Sequence, residues 1–335
     1  MRTWKPMQRD NSSIQTVLDL ALSFERSRVL LTACELDLFS VIGAKVKPAA
    51  EIAAQLDTDI KATERLLNAL VAIGLIEKNN NGYLNSKISL RFFDKTRPEY
   101  IGLFKYQNYL WNLWGNLTQS VKLGKPPDIV DIKDMTKEQI KPFIEAINWR
   151  SSILAHDVVR LLDLTKVHKL LDLTGGLGNY TIEFLNLKPE IDANLFDYPN
   201  IIAFTEDYLK AEGFIKKINL MKGDFRTDDI GTGYDMIFIS FAMHHVSIWE
   251  NIALCNRIYN ALNKGGQLII HDYLIHDDRT SPEYNALLSI EMLVSSKGGD
   301  VYTETDYWIM LKESWFEDIQ RTDTDFGTAL ISAKK

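Results

Sequence analysis

Three glycines at the end of a predicted strand are the residues of this chain best placed to bind a cofactor. An apolar run ending at Leu173 is followed by Gly175, Gly176 and Gly178, and an amphipathic pattern then begins near Asn179. Glycines at a strand-to-helix turn let a ligand approach the backbone, and the free N–H groups at the helix start favour a polar or anionic group. The pattern serves nicotinamide dinucleotides and S-adenosylmethionine alike.

Acidic residues close the same strand and the next two strands along the chain. Asp172 ends the strand before the glycines, and Asp197 lies roughly 20 residues beyond them, the spacing expected of a carboxylate that binds ribose hydroxyls. Asp224 and Phe225 follow the third strand, where an acid and an aromatic ring would meet adenine. The dinucleotide fingerprint needs a third glycine where this chain has Thr181, which disfavours a nicotinamide cofactor.

Histidines occupy the ends of two later predicted strands. His244 and His245 follow one strand, and His271 precedes Asp272 at the end of the other. A histidine has an unperturbed pKa of about 6.5, so it can take a proton from a hydroxyl at neutral pH, and a carboxylate can orient its ring. For His245 and His271 we expect ordinary packing, because neighbours at a strand end point opposite ways. Mixed His and Asp sets also bind metals, but nothing in this spacing is diagnostic, and no metal is predicted.

All of these residues belong to a regular alternation of strands and helices that begins near residue 167. Strands are predicted over 169–173, 193–197, 218–222, 235–241, 267–275 and 329–333. Such alternation predicts an α/β fold with a doubly wound, parallel sheet and helices on both faces. Ligands bind outside the carboxyl ends of the strands in these sheets, which is where the glycines, acids and histidines are expected.

The N-terminal part has a different pattern, of three helices followed by a hairpin. Helical spacing runs over 13–39, a short helix starts at Pro48, a third runs over 60–73, and two apolar segments flank a polar turn at 79–82. This is a winged-helix pattern, which raises DNA binding as a hypothesis. The third helix carries charges of both signs rather than a cluster that binds phosphates: Lys61, Glu64, Arg65 and Asn68.

The net charge, the number of cysteines and the distribution of apolar residues indicate which partners and which cellular compartment to expect. The chain has 335 residues and a net charge of −7, which disfavours nucleic acid because phosphate binding needs a positive face. Its two cysteines offer neither a disulfide framework nor metal spacing. The polar first residues lack the apolar core of a signal peptide, and no long apolar run follows. A cytoplasmic protein without a membrane or nucleic-acid partner is predicted.

An ordered set of motifs resembles a known family. From about Phe143 onward the chain is similar to the S-adenosylmethionine-dependent O-methyltransferases of the acetylserotonin, caffeic acid and bacterial polyketide type, and the N-terminal part resembles the same family. The matching segments are LLDLTGGLG, LFDYP, KGDF, YDMIFISFAMHHV, ALNKGGQLIIHDYLI and DDRTSPEYNALLSIEMLVSSKGG.

The resemblance implies a domain organisation and an assembly. Residues 166–335 would form a Rossmann-like class I methyltransferase domain with a mostly parallel seven-stranded sheet that ends in an antiparallel hairpin. Residues 1–98 would form a helical, winged-helix-like dimerisation domain, and residues 99–165 a helical connector that lines the substrate pocket. A homodimer is expected.

The resemblance also assigns the cofactor contacts. Gly175, Gly176 and Gly178 would approach the methionine part of S-adenosylmethionine, and Asp197 its ribose hydroxyls. For adenine, Asp224 would meet the amino group and Phe225 the ring face. Ser240 occupies a further position at which family members touch the cofactor. Thr174 stands where the family usually has glycine, a change that a β-branched residue is expected to tolerate.

For catalysis, His244 falls on the general base of the family, and Asp272 falls on the first of two carboxylates that flank this histidine in the plant enzymes. The second carboxylate position is Val301 here, and the aspartate that usually follows the histidine is His245. These departures leave the cofactor site intact but alter the surroundings of the base.

We predict methyl transfer from S-adenosylmethionine to a hydroxyl of a small, aromatic or polyketide-like acceptor. The alternatives are a chain of the same fold that methylates carbon or uses the cofactor for another reaction, because fold alone does not fix chemistry, and a winged-helix regulator with a ligand-sensing domain. Only the regulator predicts DNA binding that weakens steeply with salt.

Overall fold

The computed structural model describes residues 14–324 and 327–335. The prediction that the polar first residues are not a signal peptide concerns residues outside this described part. The chain divides into two compact units, one that ends at Asn108 and one that begins at Tyr109. None of the described helices combines the length and hydropathy needed to cross a membrane.

The N-terminal unit contains the predicted helices and hairpin. Its elements are α1 (Ile14–Glu35), α2 (Leu38–Ile42), α3 (Ala49–Leu56), α4 (Ile60–Ala72), β1 (Ile76–Asn79), β2 (Gly82–Asn85) and α5 (Lys87–Phe92), and α6 (Leu103–Trp114) contains the boundary between the units. The prediction of one helix over 13–39 is wrong. Asp37 has a left-handed φ of 53° and separates α1 from α2, a break that hydrophobic spacing cannot reveal because the apolar pattern continues across it.

The core of this unit lies between α2, α3, α4 and the hairpin, where Phe39, Ile52 and Leu67 are fully buried. The first half of α1 is different. Its large apolar side chains are 46% to 79% exposed in the single chain: Ile14, Val17, Leu18, Leu20, Leu22 and Phe24. A contiguous exposed apolar surface of this kind is typical of a protein interface.

The second unit is an α/β domain preceded by helices. Its elements are α7 (Leu117–Leu123), α8 (Lys137–Val159), β3 (Lys169–Leu173), α9 (Asn179–Leu187), β4 (Asp192–Asp197), α10 (Pro199–Ala211), β5 (Ile218–Lys222), β6 (Tyr234–Ser240), α11 (Ile248–Ala261), β7 (Leu262–Asp272), α12 (Glu283–Ser295), α13 (Glu304–Glu313), β8 (Glu317–Asp323) and β9 (Ala329–Lys334). Two 3-10 turns, Ile132–Asp134 and Met243–His245, complete it.

The seven strands of this unit form one sheet in the order β5-β4-β3-β6-β7-β9-β8. The first five strands in this order are parallel, and β9 is antiparallel to both of its neighbours, which confirms the predicted mostly parallel sheet and final hairpin. The direction of winding reverses between β3 and β6. Their carboxyl ends therefore open the crevice in which such sheets bind ligands.

Two strand ends differ from the prediction in ways that bear on the site. β6 stops at Ser240 because Phe241 has a left-handed φ of 51°, and β7 stops at Asp272 rather than running on to residue 275. The chain thus leaves the sheet where the histidines and Asp272 occur. β8 was predicted only through the family resemblance, since this edge strand is exposed and charged and shows no apolar alternation.

Candidate active site

The glycine loop joins β3 to α9 at the crevice. Gly176 and Gly178 adopt left-handed φ angles of 58° and 91°, which glycine reaches without strain. A Cβ on Gly175 would lie only 2.6 Å from Leu195 Cγ on β4. The loop therefore lies close against β4 and presents backbone, rather than side chains, to the crevice.

Thr174 opens this loop in a left-handed conformation, with a φ of 64°. This conformation is costly for a β-branched residue, so the expectation that the change from glycine is well tolerated is wrong. The Thr174 hydroxyl donates to the carbonyl oxygen of Leu173, and the Thr174 N–H donates to the carbonyl of Phe196 at 2.8 Å. These bonds hold the residue in its unfavourable geometry.

Asp172 is fully buried beneath the glycine loop. Its Oδ2 accepts a hydrogen bond from the Thr181 hydroxyl at 2.6 Å, which gives the residue in place of the third glycine a role in holding the loop. Its Oδ1 is also buried and has no hydrogen-bond partner among the described residues. Burial raises the pKa of Asp172 to about 7. An unpartnered carboxylate oxygen of this kind fits the ammonium group of an amino-acid ligand.

Asp197 lies at the end of β4 and faces the same loop. Its two oxygens accept backbone hydrogen bonds from Gly176 at 2.9 Å and from Tyr198 at 2.7 Å. Burial raises the pKa of Asp197 to about 6, although both bonds oppose the increase. Each carboxylate oxygen has a second lone pair, so Asp197 can hold the glycine loop and still accept from a ribose hydroxyl.

Asp224 follows β5 and is already engaged by cations. Arg226 donates to both of its carboxylate oxygens, at 2.9 and 2.8 Å, and Lys133 donates at 3.2 Å. Burial alone would raise the pKa of Asp224, but these bonds hold it well below its usual range. An adenine amino group would share this carboxylate with Arg226 and Lys133.

Phe225 provides an aromatic surface beside Asp224. Its ring lies 5.8 Å from the ring of Tyr198, which follows Asp197, and both rings are largely buried. Arg257 on α11 donates to the carbonyl oxygens of Phe225 and Arg226 and so holds this turn. Tyr198 was not singled out in the sequence, and its place directly after the Asp197 strand end is the signal that could have identified it.

His244 and Asp272 meet as the sequence led us to expect. His244 Nδ1 lies 2.6 Å from Asp272 Oδ1, and both side chains are buried. Burial would raise the pKa of Asp272, but the charge and hydrogen bond of His244 lower it below its usual value. An ionised carboxylate only accepts hydrogen bonds, so Nδ1 is the donor in this contact, and a neutral imidazole in this orientation would carry its lone pair on Nε2. A carboxylate bound to one ring nitrogen in this way fixes the orientation of the imidazole.

Neighbouring elements hold this pair firmly in place. Tyr307 on α13 donates its hydroxyl to Asp272 Oδ2 at 3.1 Å. Asn251 on α11 donates to the carbonyl oxygens of Met243 at 2.9 Å and Val246 at 3.4 Å, on either side of the histidine turn. Tyr302 also donates its hydroxyl to Val246. Such buried hydrogen bonds fix the orientation of the imidazole ring.

The other two histidines are placed differently. His245 stacks on His244 with ring centroids 4.3 Å apart, and burial followed by the charge of His244 lowers the pKa of His245. His271 is fully buried between the hydroxyls of Tyr180 and Thr328, and burial lowers its pKa to about 4. Within the described ranges, no three histidine, cysteine or acidic residues are arranged to hold a metal.

Ser240 ends β6 directly opposite His271 in the register of β7, at the edge of the crevice and half-buried. Phe241 follows it, and its ring lies 5.1 Å from that of Tyr273. The guanidinium of Arg150, on α8, lies 5.1 Å and 5.8 Å from the centroids of these two rings. The sequence did not lead us to predict Arg150 as a site residue.

Arg150 belongs to a part of α8 that lies against the glycine loop. Asn148 and the Ser151 hydroxyl each accept a hydrogen bond of 2.8 Å from the side chain of Asn179, the first residue of α9. Arg150 forms no ion pair with a carboxylate among the described residues. Its guanidinium, held by cation–π contacts beside the loop, fits the carboxylate of an amino-acid ligand.

Comparison with known proteins gives matches over both units. A family model described as an O-methyltransferase domain matches residues 122–317, and one described as an O-methyltransferase dimerisation domain matches residues 18–95. The tetracenomycin polyketide synthesis 8-O-methyl transferase TcmO of Streptomyces glaucescens is 28% identical, over 95% of this chain and 96% of its own length. The L-tyrosine C(3)-methyltransferase of Streptomyces lavendulae is 28% identical, over 88% of this chain and 85% of its own length.

Among solved structures, PigF with SAH superimposes with a TM-score of 0.91 and 25% identity, over 96% of this chain and all of that chain. PigF, from Serratia sp. (strain ATCC 39006), is an S-adenosyl-L-methionine-dependent methyl transferase. The matches extend over nearly the full length in both directions, so the likeness concerns whole proteins rather than a shared domain.

Proposed function

This chain belongs to the O-methyltransferase family and is an S-adenosylmethionine-dependent enzyme, and on that premise we propose how it acts. The acceptor is a small aromatic or polyketide-like molecule with a free hydroxyl. His244 is the general base, and Asp272 orients it. The observation that carries this proposal is the 2.6 Å contact between His244 Nδ1 and Asp272 Oδ1 at the end of the crevice.

The residues around the glycine loop fit S-adenosylmethionine. The unpartnered Oδ1 of Asp172 would accept from its ammonium group, and Arg150 would pair with its carboxylate. Asp197 would bind the ribose hydroxyls, with Phe225 and Tyr198 beside the adenine and Asp224 at its amino group. Backbone at Gly175, Gly176 and Gly178, with Ser240, would complete the site. When bound, this cofactor supplies an electrophilic methyl group and a leaving thioether.

The protein side of the reaction is one proton transfer. Nε2 of His244 would take the proton of the acceptor hydroxyl, so that the oxygen becomes nucleophilic toward the methyl group that the bound cofactor would supply. The resulting imidazolium is stabilised by the ionised Asp272. The products are a methyl ether and S-adenosylhomocysteine, and His244 then returns its proton to solvent.

Assembly and compartment complete the proposal. We propose a homodimer in which the exposed apolar half of α1 is covered by a second chain, since the dimerisation-domain match includes this helix. The domains are proposed to be 1–98, 99–165 and 166–335. We propose a cytoplasmic location, since the two cysteines offer no disulfide framework. We propose no nucleic-acid partner, since the net charge of −7 disfavours phosphate binding.

A second candidate function is methylation of carbon. The relative that methylates C(3) of L-tyrosine is as similar to this chain, at 28% identity, as the relative that methylates an oxygen. A base next to a phenol would also serve carbon methylation, because an ionised phenol is nucleophilic at its ortho carbon. NMR of the product distinguishes a methoxy group from a ring methyl group.

The test of the base is His244→Asn, assayed with naphthols as acceptors. Asparagine can still donate to Asp272 but cannot take a proton at the Nε2 position, so kcat should fall about 100- to 10,000-fold. Binding of S-adenosylhomocysteine, measured by calorimetry, should be unchanged. His156→Asn, at an exposed histidine of α8, is the matched control. A near wild-type kcat for His244→Asn would mean that alignment alone drives the reaction.

A further inference from the structure

A second carboxylate near His244, that of Glu291 on α12, has no assigned role. Glu291 is half-buried, and its carboxylate forms no hydrogen bond or ion pair with the described residues. Burial raises the pKa of Glu291, and the charges of Arg150 and His244 act to lower it. Neither cation approaches closely enough to pair with it.

The packing of α12 fixes Glu291 in this position. Leu288, one turn before Glu291, and Met292, the residue after it, pack in one buried cluster with Tyr273 and Val301. After the helix ends, the chain turns directly beneath the catalytic histidine. A Cβ on Gly299 would lie 2.3 Å from the carbonyl oxygen of His244. The helix is thus held beside both the Asp272 strand end and the histidine turn.

Two positions that follow α12, Asp300 and Val301, provide no free carboxylate in the described structure. Val301, in the position of the second carboxylate of the plant enzymes, is fully buried and apolar. Asp300 is occupied outside the site by Arg279 at 3.1 Å and by Ser289 at 2.5 Å. Of the three positions 291, 300 and 301, only Glu291 carries a carboxylate without a hydrogen-bond or ion-pair partner among the described residues.

Burial of a carboxylate without hydrogen bonds costs free energy, and a ligand that donates a hydrogen bond to the carboxylate would reduce this cost. We propose that Glu291 is a specificity-determining residue, which accepts a hydrogen bond from a second hydroxyl of the acceptor, next to the hydroxyl that His244 deprotonates. The favoured substrates are then aromatic molecules with neighbouring hydroxyl groups. This inference rests on the proposed methyltransferase function.

The test compares the full-length protein on 2,3-dihydroxynaphthalene and 2-naphthol, which differ by the second hydroxyl alone. For wild type, kcat/KM should be about tenfold or more higher with the diol than with 2-naphthol. A ratio of this size corresponds to one hydrogen bond to a charged group. Glu291→Leu should abolish this preference, because kcat/KM should fall far more for the diol than for 2-naphthol. Glu291→Gln, which keeps the shape and one acceptor oxygen, should retain part of it. Glu283→Gln, at the exposed start of the same helix, is the control.

Three results would overturn the inference. Equal kcat/KM for both acceptors in wild type would remove the need for a second hydroxyl. An equal loss on both acceptors in Glu291→Leu, or a shifted pH profile on 2-naphthol, would show that Glu291 acts through His244. Methylation of neither acceptor, with S-adenosylhomocysteine still bound, would exclude this class of acceptor and leave the methyltransferase proposal standing. If the wild-type protein did not bind S-adenosylhomocysteine at all, the proposed function itself would be refuted.

Discussion

At the scale of single residues, Thr174 in the glycine loop and Thr181 in α9 both occupy positions that are often glycine, but their side chains have opposite effects on stability. Thr174 is strained by its left-handed φ of 64°, whereas Thr181 donates a 2.6 Å hydrogen bond to the buried Asp172. The side chain of Thr174 therefore adds little to stability, whereas the side chain of Thr181 supplies the hydrogen-bond partner of a buried carboxylate. Composition alone cannot separate them, because the difference lies in backbone conformation.

Replacement of each threonine by glycine should therefore have opposite effects. Thr174→Gly removes a left-handed conformation that costs a non-glycine residue about 1–2 kcal/mol, partly offset by the greater freedom of glycine in the unfolded chain. We expect an unchanged or slightly higher free energy of unfolding in urea. Thr181→Gly should lower it by about 2 kcal/mol or more, since Asp172 Oδ2 loses its partner. Similar losses in the two variants would contradict the assignment of strain to Thr174.

The buried Asp172 also predicts how stability depends on pH. Its pKa is about 7 in the folded protein, above the value of about 3.9 in an unfolded chain. Between these values the folded state holds a proton that the unfolded state has lost, so this stabilising contribution is complete below about pH 4 and is lost as the pH rises through 7. Asp197, with a pKa of about 6, acts in the same direction.

Asp172→Asn removes this titration. Relative to wild type, the free energy of unfolding of the variant should rise by about 2 kcal/mol between pH 5 and pH 7.5. Asp224→Asn is the control. The pKa of Asp224 is lowered, so Asp224 is ionised in both states over this range and its difference from wild type should stay constant. A difference between Asp172→Asn and wild type that does not change with pH would show that Asp172 is not protonated in the fold.

At the scale of elements, the strands that carry apolar runs were predicted within a few residues, because burial on both faces leaves a continuous pattern. β3 and β5 match their predicted bounds. The break at Asp37 and the early end of β6 at Phe241 were missed, since a left-handed residue other than glycine leaves no compositional signal.

The candidate site likewise contains residues that could be predicted from the sequence and residues that could not. His244 and Asp272 could be predicted to meet because His244 follows β6 by a few residues, Asp272 ends β7, and these two strands are adjacent. Arg150 and Glu291 could not, since each sits on a helix whose facing side depends on packing. The sequence also could not predict that Arg226 and Lys133 both bind Asp224, because Lys133 comes from a turn far away in the chain.

The turn after α12 offers a test of how elements position the base. A Cβ on Gly299 would lie 2.3 Å from the His244 carbonyl oxygen, a backbone atom, so Gly299→Ala must shift the histidine turn. We expect kcat to fall at least about tenfold, because small displacements of a base are costly, while S-adenosylhomocysteine still binds. Gly298→Ala is the control, since its Cβ would lie 3.1 Å from the Ser247 Cβ and no closer than 3.6 Å to a backbone atom of Ser247. Equal kcat values in the two variants would mean that the turn does not position His244.

At the scale of the whole molecule, the exposed apolar half of α1 is the feature that a single chain leaves unexplained. Six large side chains, of which Leu20 is 67% exposed, stand out from a unit whose core is complete without them. The surface of a monomer seldom carries so many neighbouring apolar groups. The match of residues 18–95 to a dimerisation domain supports a second copy of this chain as the partner that covers them.

Leu20→Glu should therefore separate the subunits without unfolding them. A carboxylate at a covered apolar surface would lose its hydration, which costs several kcal/mol, whereas in the isolated chain position 20 faces water. Sedimentation velocity should give twice the chain mass of 38.3 kDa for wild type and the single-chain mass for the variant, with unchanged circular dichroism. Ile60→Glu, at an exposed apolar residue of α4, is the matched control and should remain dimeric. A wild-type protein that sediments as a monomer at micromolar concentration would refute the interface, and a dimeric Leu20→Glu variant would place it on another surface.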